Sequence, residues 1–234
     1  MFVGHYGVSL AAKRYRPELS LGVLFLAVQF LDVLFAVFLL TGLEKMRIVH
    51  GFTAYNPYDL YRMPYSHSLL GAMAWSLAAG IACFFWTGAR GGGGRAASAA
   101  VVAAAVFSHF LLDVPMHTPD LPLGLGSASP KIGLGLWNHR TAAVGAELAV
   151  LVIGGALYLR GSRSRDRRAR IATGVFACAL LALTVATPFL PDPSSAAAFA
   201  VQALFLYVLL AVAGAWVDRR REAAPRRSPS AISR

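Results

Sequence analysis

Charged residues are scarce in this chain. Only 14% of its 234 residues are Asp, Glu, Lys or Arg, whereas 57% are hydrophobic and the mean hydropathy is +0.58. A water-soluble domain carries roughly 25% charged residues, so the composition excludes an ordinary soluble globular protein. The surplus of apolar surface needs lipid to cover it, and we expect an all-α, polytopic integral membrane protein.

Cysteine is almost absent as well. The two cysteines, Cys83 and Cys178, each lie in the middle of an apolar run. We expect both to be small core residues, which excludes a disulfide framework and a thiolate metal site. A cleavable signal peptide is not expected either, because the first long apolar run starts near Leu19 and is too long for a signal sequence.

The net charge of +11 would be typical of nucleic-acid binding if the protein were soluble. Most of the arginines, however, lie between or after the apolar runs, where the positive-inside rule places them in membrane proteins. We therefore expect no nucleic-acid partner. The basic loops should instead contact the anionic headgroups of membrane lipids.

Six apolar windows reach the roughly 20 residues that a helix needs to cross a membrane. They run over residues 19–42, 66–88, 97–115, 139–160, 170–190 and 196–217. These windows predict a single transmembrane domain over residues 1–217, with the candidate metal site in its first part, 1–150. Residues 218–234 are rich in Arg, Pro and Ser and are predicted to form a disordered, basic, cytoplasmic tail.

Lys and Arg are distributed unevenly between the two sides of the predicted spans. One side holds the basic residues of 13–16, those at 90 and 95, those of 160–170 and the tail, whereas the opposite side holds far fewer. This asymmetry predicts that both termini are cytoplasmic, in a bacterial-type inner (plasma) membrane. The polar residues of four spans then converge in the outer half of the bilayer.

Ionisable side chains inside these spans form a candidate metal site. His109 and Asp113 are four residues apart and share one helix face, as a chelating pair requires. Asp32 and His67 lie in other apolar windows. A charge at such depth costs at least about 2.5 kcal/mol on insertion scales, which argues for a function. No Lys or Arg lies mid-span to neutralise Asp32, and a divalent metal ion supplies the missing charge.

Simpler interpretations of these residues remain open at this point. His109 and Asp113 could form a helix-stabilising hydrogen bond, and His67 could be an interfacial histidine exposed to water. Glu147 is a metal ligand, a partner of a histidine ligand, or a general base, and it shares with Asp32 the predicted role of proton acceptor.

Other polar residues are predicted to contact the substrate or water. Ser66 should cap the second span, and free amides at such a helix start favour an anionic ligand. The triplet Asn138-His139-Arg140 should meet a phosphate or carboxylate of the substrate. Four residues of the predicted outer loops are expected to be mostly solvated: His50, Asp59, His117 and Asp120.

His5 admits two placements. If the chain reverses at Pro17-Glu18, antiparallel packing brings residues 5 and 32 to nearly the same level, in a re-entrant hairpin. Alternatively, the N-terminal segment is an amphipathic helix that lies flat on the membrane surface, with His5 far from the site. Spacing alone does not choose between them.

The order of these residues resembles the YdjM-like family of membrane-bound, metal-dependent hydrolases. The shared pattern, over residues 4–120, comprises Gly4-His5-Tyr6-Gly7, Asp32 at the end of an apolar run, His67-Ser68, and Ser108-His109-x-x-x-Asp113. The resemblance implies that the metal-binding set is His5, Asp32, His67, His109 and Asp113, and it favours the hairpin. The chain departs from the family's Pro-Asp-x-Asp, with Leu31 and Leu34 at the other two positions.

From these patterns we predict hydrolysis of an ester or phosphoester in a lipid-like, amphiphilic substrate. A divalent metal, expected to be zinc, would activate the water. One alternative is a metal-ion or proton transporter, although such a protein should also carry polar groups toward the cytoplasm, and the last two spans show none. Another alternative is a non-catalytic scaffold in which a structural metal clamps the helices.

Overall fold

The computed structural model describes residues 1–88, 94–126 and 128–223. In these ranges the chain forms eight α-helices and three short two-stranded antiparallel sheets, so the predicted all-α class is confirmed. The helices are α1 His5–Tyr15, α2 Leu21–Val28, α3 Phe30–Thr41, α4 Leu69–Gly88, α5 Arg95–Met116, α6 Arg140–Gly161, α7 Arg167–Ala186 and α8 Ala196–Asp218. The strands are β1 Lys45–Ile48, β2 Tyr58–Arg62, β3 Leu121–Pro122, β4 Lys131–Ile132, β5 Ser162–Ser164 and β6 Arg221–Ala223.

The long helices agree with the predicted spans. The helices α4 to α8 are each long and apolar enough to cross a membrane, and the bent pair α2–α3 supplies a sixth candidate span. Their outward faces carry large apolar side chains, among them Leu77, Phe85 and Phe205, which are 64–71% exposed. Such a surface is suited to lipid rather than to water.

The first span is broken near its middle. Helix α2 ends at Val28, α3 begins at Phe30, and the two axes differ by 57°. Gln29 lies at the break, where its side-chain amide donates to the carbonyl of Phe2 at 3.2 Å. The bend turns the carbonyl end of α2 toward the interior of the bundle, where it becomes available to a side chain.

Helix α1 re-enters the bundle, as in the hairpin placement. His5, Tyr6 and Ser9 are fully buried. The helix packs closely on α6, because a Cβ added at Gly154 would overlap the carbonyl of Gly7. Small residues permit such close approach between helices in membrane proteins. His5 therefore lies inside the bundle and not on its surface.

We call the two ends of the bundle the hairpin end and the arginine-rich end. The hairpin end is named for its antiparallel strand pairs β1–β2 and β3–β4, not for the N-terminal reversal, and the arginine-rich end carries β5 and β6. At the arginine-rich end, β6 pairs with β5, and Lys13 forms an ion pair with Asp218 at 2.7 Å. The structure thus corrects the prediction of a disordered tail for residues 218–223. The remainder of that predicted tail, 224–234, lies outside the described residues. Cys83 and Cys178 are both free thiols, but only Cys83 is buried.

Candidate metal centre

The five residues predicted to bind metal lie together inside the helix bundle. His5 begins α1, Asp32 lies in the first turn of α3, His67 precedes α4, and His109 and Asp113 are one turn apart in α5. All but Asp32 are buried, and the Asp32 side chain is 18% exposed. Residues far apart in sequence therefore meet at one place.

The distances between carboxylate oxygens and imidazole nitrogens are close to those between neighbouring ligands of an ion. Asp32 Oδ1 lies 3.3 Å from His67 Nε2 and 3.6 Å from His109 Nε2. Asp113 Oδ2 lies 3.1 Å from His109 Nε2 and 3.8 Å from His67 Nε2. His5 Nε2 lies 3.3 Å from the other oxygen, Asp113 Oδ1. Zinc bonds of about 2.0–2.1 Å would place neighbouring ligands about 3 to 3.4 Å apart.

His109 is oriented by the break in the first span. Its Nδ1 lies 2.6 Å from the carbonyl oxygen of Val28, the last residue of α2. A carbonyl only accepts hydrogen bonds, so Nδ1 carries the proton and Nε2 has a free lone pair. Nε2 is buried, faces both Asp32 and Asp113, and has no hydrogen-bond partner in the part of the chain that the structure describes.

A buried carboxylate orients His67 through a serine. The hydroxyl of Ser66 donates to Glu44 Oε2 at 2.5 Å and lies 2.8 Å from His67 Nδ1. Since the hydroxyl proton points to Glu44, the serine oxygen accepts from Nδ1–H. The lone pair of His67 Nε2 is again left facing the carboxylates.

This arrangement changes the roles predicted for Ser66. Its hydroxyl bonds to Glu44 and His67, and Ser66 is fully buried. The predicted cap of α4 is also wrong by two residues, because Ser68 Oγ is the atom that accepts from the Gly71 amide. Ser66 positions a histidine instead.

His117 and Asp120 were expected to be solvated, but both are buried. His117 Nδ1 lies 2.8 Å from Asp120 Oδ1, and His117 Nε2 lies 3.5 Å from Asp113 Oδ2. Burial alone would lower the pKa of His117, but the carboxylates of Asp120 and Asp113 raise it above its ordinary value. Trp137, whose ring lies 4.1 Å away, covers the imidazole.

Three histidines thus make the same kinds of contact through their two ring nitrogens. In His67, His109 and His117, Nδ1 is held by an oxygen atom and Nε2 points to Asp113. Hydrogen bonds of this kind fix the tautomer and the ring direction of metal-binding histidines. The donor types and the orphaned Nε2 of His109 fit a divalent ion such as zinc.

His5 differs from the other three. Its ring stacks on that of His109, with centroids 3.9 Å apart and planes inclined by 11°. Within residues 1–88, 94–126 and 128–223, neither of its ring nitrogens has a hydrogen-bond partner, although the residue is fully buried. Its Nε2 faces Asp113 Oδ1, which also contacts the amino group of Met1 at 2.5 Å.

Glu147 is not among the residues that surround the candidate ion positions. It is buried on α6 and accepts hydrogen bonds from the amides of Phe2 and Gly4 and from the hydroxyl of Tyr55. Burial, and then the carboxylate, raise the pKa of Tyr55, so its hydroxyl stays protonated and donates. Glu147 thus holds the backbone turn before His5, and the hydrogen bonds of its carboxylate go to two amides and a tyrosine hydroxyl instead of to a histidine.

A cavity of about 830 Å³ opens beside the cluster. The cluster residues that line it are Asp32, His67, Asp113 and His117. The cavity reaches the hairpin end, where Arg140 lines it, and its walls include apolar side chains of α3, α7 and α8. The volume lies within the roughly 300–1,000 Å³ of ligand sites.

The other predicted substrate contacts lie elsewhere. Asn138 and His139 are exposed and are not among the residues that line this cavity. His50 does line it and pairs with Asp192 at 2.9 Å, whereas Asp59 pairs with Arg47. Of the predicted triplet, only Arg140 remains beside the cavity.

Tyr207 is a site residue that sequence reasoning did not select. It lies in α8, lines the cavity, and donates through its hydroxyl to Asp32 Oδ2 at 3.0 Å. This bond leaves Asp32 Oδ1 facing the histidines. A tyrosine in an apolar helix does not by itself indicate a functional site. His117, in contrast, continues the four-residue spacing of His109 and Asp113 and could have been selected from the sequence.

The chain matches no protein-family model, and no curated protein or solved structure matches it. The fold and the site therefore define its class: a polytopic, helical membrane protein with a buried His/Asp cluster that can hold a metal ion.

Proposed function

We propose that this protein is a membrane-embedded, metal-dependent hydrolase of esters or phosphoesters in lipid-like substrates, as its resemblance to the YdjM-like family implies. One observation carries the proposal. Oriented imidazoles and two carboxylates, Asp32 and Asp113, meet at the wall of a cavity large enough for a ligand. A bound ion, which we propose to be zinc, would supply an activated water and polarise the bond to be cleaved.

The cavity supports an amphiphilic substrate. Its apolar walls, which include Phe35, Leu183 and Leu206, suit a hydrocarbon chain. Arg140 supplies a positive charge at the hairpin end, and its Nε donates to the carbonyl of Ala54, which holds the guanidinium in place. An anionic phosphate or carboxylate can pair with that guanidinium.

His117 and Asp120 form the proton-transfer pair of the proposed reaction. Asp120 holds Nδ1, so Nε2 can exchange protons in the cavity. The oxygen of water bonds to the phosphorus or carbonyl carbon, and its proton passes to His117 Nε2. The bond to the leaving oxygen then breaks, and the imidazolium returns the proton to that oxygen. His117 thus takes the role that the sequence suggested for Asp32 or Glu147.

Two observations favour hydrolysis over the alternatives. Toward the arginine-rich end the described interior includes the fully buried apolar side chains of Leu21, Leu24 and Phe25. Such apolar packing beyond the cluster supports hydrolysis over transport, because an ion pathway is lined by polar groups. A purely structural metal, in turn, does not require a large cavity beside its ligands.

Metal analysis tests the first element of the proposal. The full chain should be purified in detergent with a C-terminal tag free of histidine, and its metal content measured beside His109→Ala and Asp32→Ala. We expect bound zinc or another divalent metal in the wild type and a large loss in both variants. His139→Ala is the matched control, since it removes an exposed imidazole outside the cluster. Negligible metal in every protein would end the proposal.

Activity is tested with the metal-loaded protein in vesicles. Phosphoester and carboxylester amphiphiles should be compared with short water-soluble esters of the same headgroups. We expect hydrolysis of an amphiphile that is lost in His117→Ala and retained in His139→Ala. Uptake of metal or protons into the vesicles without hydrolysis would contradict this function and support a transporter.

We further propose that the hairpin end faces outward and both termini are cytoplasmic, in a bacterial-type inner membrane. The basic residues concentrated at the arginine-rich end support this orientation. In a chain with Cys83 and Cys178 replaced by Ser, single cysteines at the exposed positions His50 and Arg165 should be treated with an impermeant maleimide on intact cells. Labelling at 50 but not at 165 is expected, and the reverse would overturn the orientation.

A further inference from the structure

The predicted ligands do not form a single compact set. The donor atoms that lie within 4.8 Å of one another fall into two groups of three: His5, His109 and Asp113, and Asp32, His67 and His109. Opposite ligands of one ion with bonds of 2.0–2.1 Å are only about 4.2 Å apart. The five residues, as they are placed, thus extend beyond the reach of one ion.

The stacked rings of His5 and His109 lead to the same conclusion. An imidazole binds metal through a lone pair in the plane of its ring. The two planes are nearly parallel and the centroids are 3.9 Å apart, so the two Nε2 lone pairs lie in separate planes and do not converge on one ion. Ions placed on them would be separated by about the ring spacing, and the metals of two-metal hydrolytic sites are about 3.5–4 Å apart.

Asp113 provides the bridge that such a pair requires. Its Oδ2 faces His109 Nε2 at 3.1 Å, and its Oδ1 faces His5 Nε2 at 3.3 Å. The two oxygens of one carboxylate can each bind a separate ion. His5 Nε2 is buried and has no hydrogen-bond partner among the described residues, so its lone pair is free to bind an ion at this position.

The charges around the cluster also call for more than one divalent cation. Asp32 and Asp113 contact the histidines directly, Asp120 holds His117, and Glu44 reaches His67 through Ser66. In the described part of the chain, none of these four carboxylates pairs with a Lys or Arg; the amino group of Met1 is the one other cation at Asp113. Buried carboxylates require pairing or coordination.

We propose that the site binds two divalent cations bridged by Asp113. One is held by Asp32, His67, His109 and Asp113 Oδ2, and the second by His5 and Asp113 Oδ1. This inference deepens the proposed hydrolase function and rests on it. The second position has fewer protein ligands, so it binds its ion more weakly and leaves coordination positions for the substrate.

Stoichiometry and spin coupling test the pair. The full-length apoprotein, purified as above, should be titrated with Mn²⁺ at neutral pH and followed by elemental analysis and electron paramagnetic resonance. We expect about two ions per chain and an exchange-coupled spectrum at saturation. Saturation at one ion would overturn the proposal, because the amino group of Met1 would then be the sole cation at Asp113 Oδ1. Two ions with uncoupled spectra would overturn it as well.

Variants of His5 assign the second ion. His5→Ala and the more conservative His5→Gln should each bind about one ion, with the spectrum of isolated Mn²⁺, whereas His139→Ala should behave as the wild type. Retention of a coupled pair in both His5 variants would refute the assignment. The count is made without substrate, so hydrolysis with one ion contradicts only the pair, and two ions without hydrolysis contradict only the proposed function.

Discussion

Glu147 Oε2 accepts a hydrogen bond from the amide of Gly4 at 2.9 Å, and this bond fastens the start of α1 to α6. The same carboxylate accepts from the Phe2 amide and from the Tyr55 hydroxyl. The buried side chain thus holds the turn that presents His5 to Asp113.

Replacement of Glu147 by Gln should destabilise the protein by about 1 to 3 kcal/mol, because an amide group of Gln would face donors that need an acceptor. Thermal unfolding in detergent measures the change. Tyr55→Phe removes only one of the three bonds and should cost about 1 kcal/mol. Equal unfolding temperatures for Glu147→Gln and the wild type would show that this anchor is unimportant.

Two adjacent glycines of α6 provide a test of the contact with α1. Gly154→Ala should cost about 1 to 3 kcal/mol, because its Cβ would overlap the Gly7 carbonyl and force α1 away. Gly155→Ala places its Cβ in open space and should change stability little. Thermal unfolding and metal content should be compared in the two variants. If both behave alike, α1 does not pack on α6 in this way.

Ser66→Ala should weaken metal binding by about 10- to 100-fold, because it disconnects His67 from Glu44. Competition with a chromophoric chelator gives the dissociation constant. Ser76→Ala is the matched control. It removes another buried serine hydroxyl, which donates to the carbonyl of Ala72 within α4 and not to a histidine. A dissociation constant unchanged by Ser66→Ala would exclude the relay.

Tyr207→Phe should raise the metal dissociation constant as well, because it frees Asp32 Oδ2 and lets the carboxylate rotate. We expect at least a several-fold change, at the lower end of the range for partners of metal ligands. Tyr158→Phe removes an equivalent tyrosine–aspartate bond, to Asp218, at the arginine-rich end and should leave metal affinity unaltered. Identical effects of the two variants would contradict a role for Tyr207 at the site.

Hydrophobic patterning predicted the long helices α4 to α8, because a membrane-spanning helix satisfies its own backbone polar groups and needs about 20 apolar residues. It did not predict the break in the first span. The same reasoning selected Asp32, His67, His109 and Asp113, since ionisable residues within such runs are costly. His5 could be placed only by the fold, which decides between a surface helix and a re-entrant one.

The residues that the sequence did not reveal share a physical cause. Glu44 and Asp120 lie in connecting segments, where a carboxylate is ordinarily solvated, and Tyr207 lies in an apolar helix, where a tyrosine is ordinary. Their importance depends on which loop folds back over the cluster. Long-range packing of this kind leaves no local periodicity in the chain.

The break at Gln29 has a consequence for how the protein assembles. In a straight first span the Val28 carbonyl would accept a backbone hydrogen bond within the helix. His109 would then be free to rotate or to exchange tautomers. Because the kink leaves that carbonyl free to accept from His109 in α5, the bend of the first span and the tautomer of the imidazole are coupled. Straightening the kink would remove the hydrogen bond that orients His109, and a metal ion bound to His109 would in turn stabilise the kink.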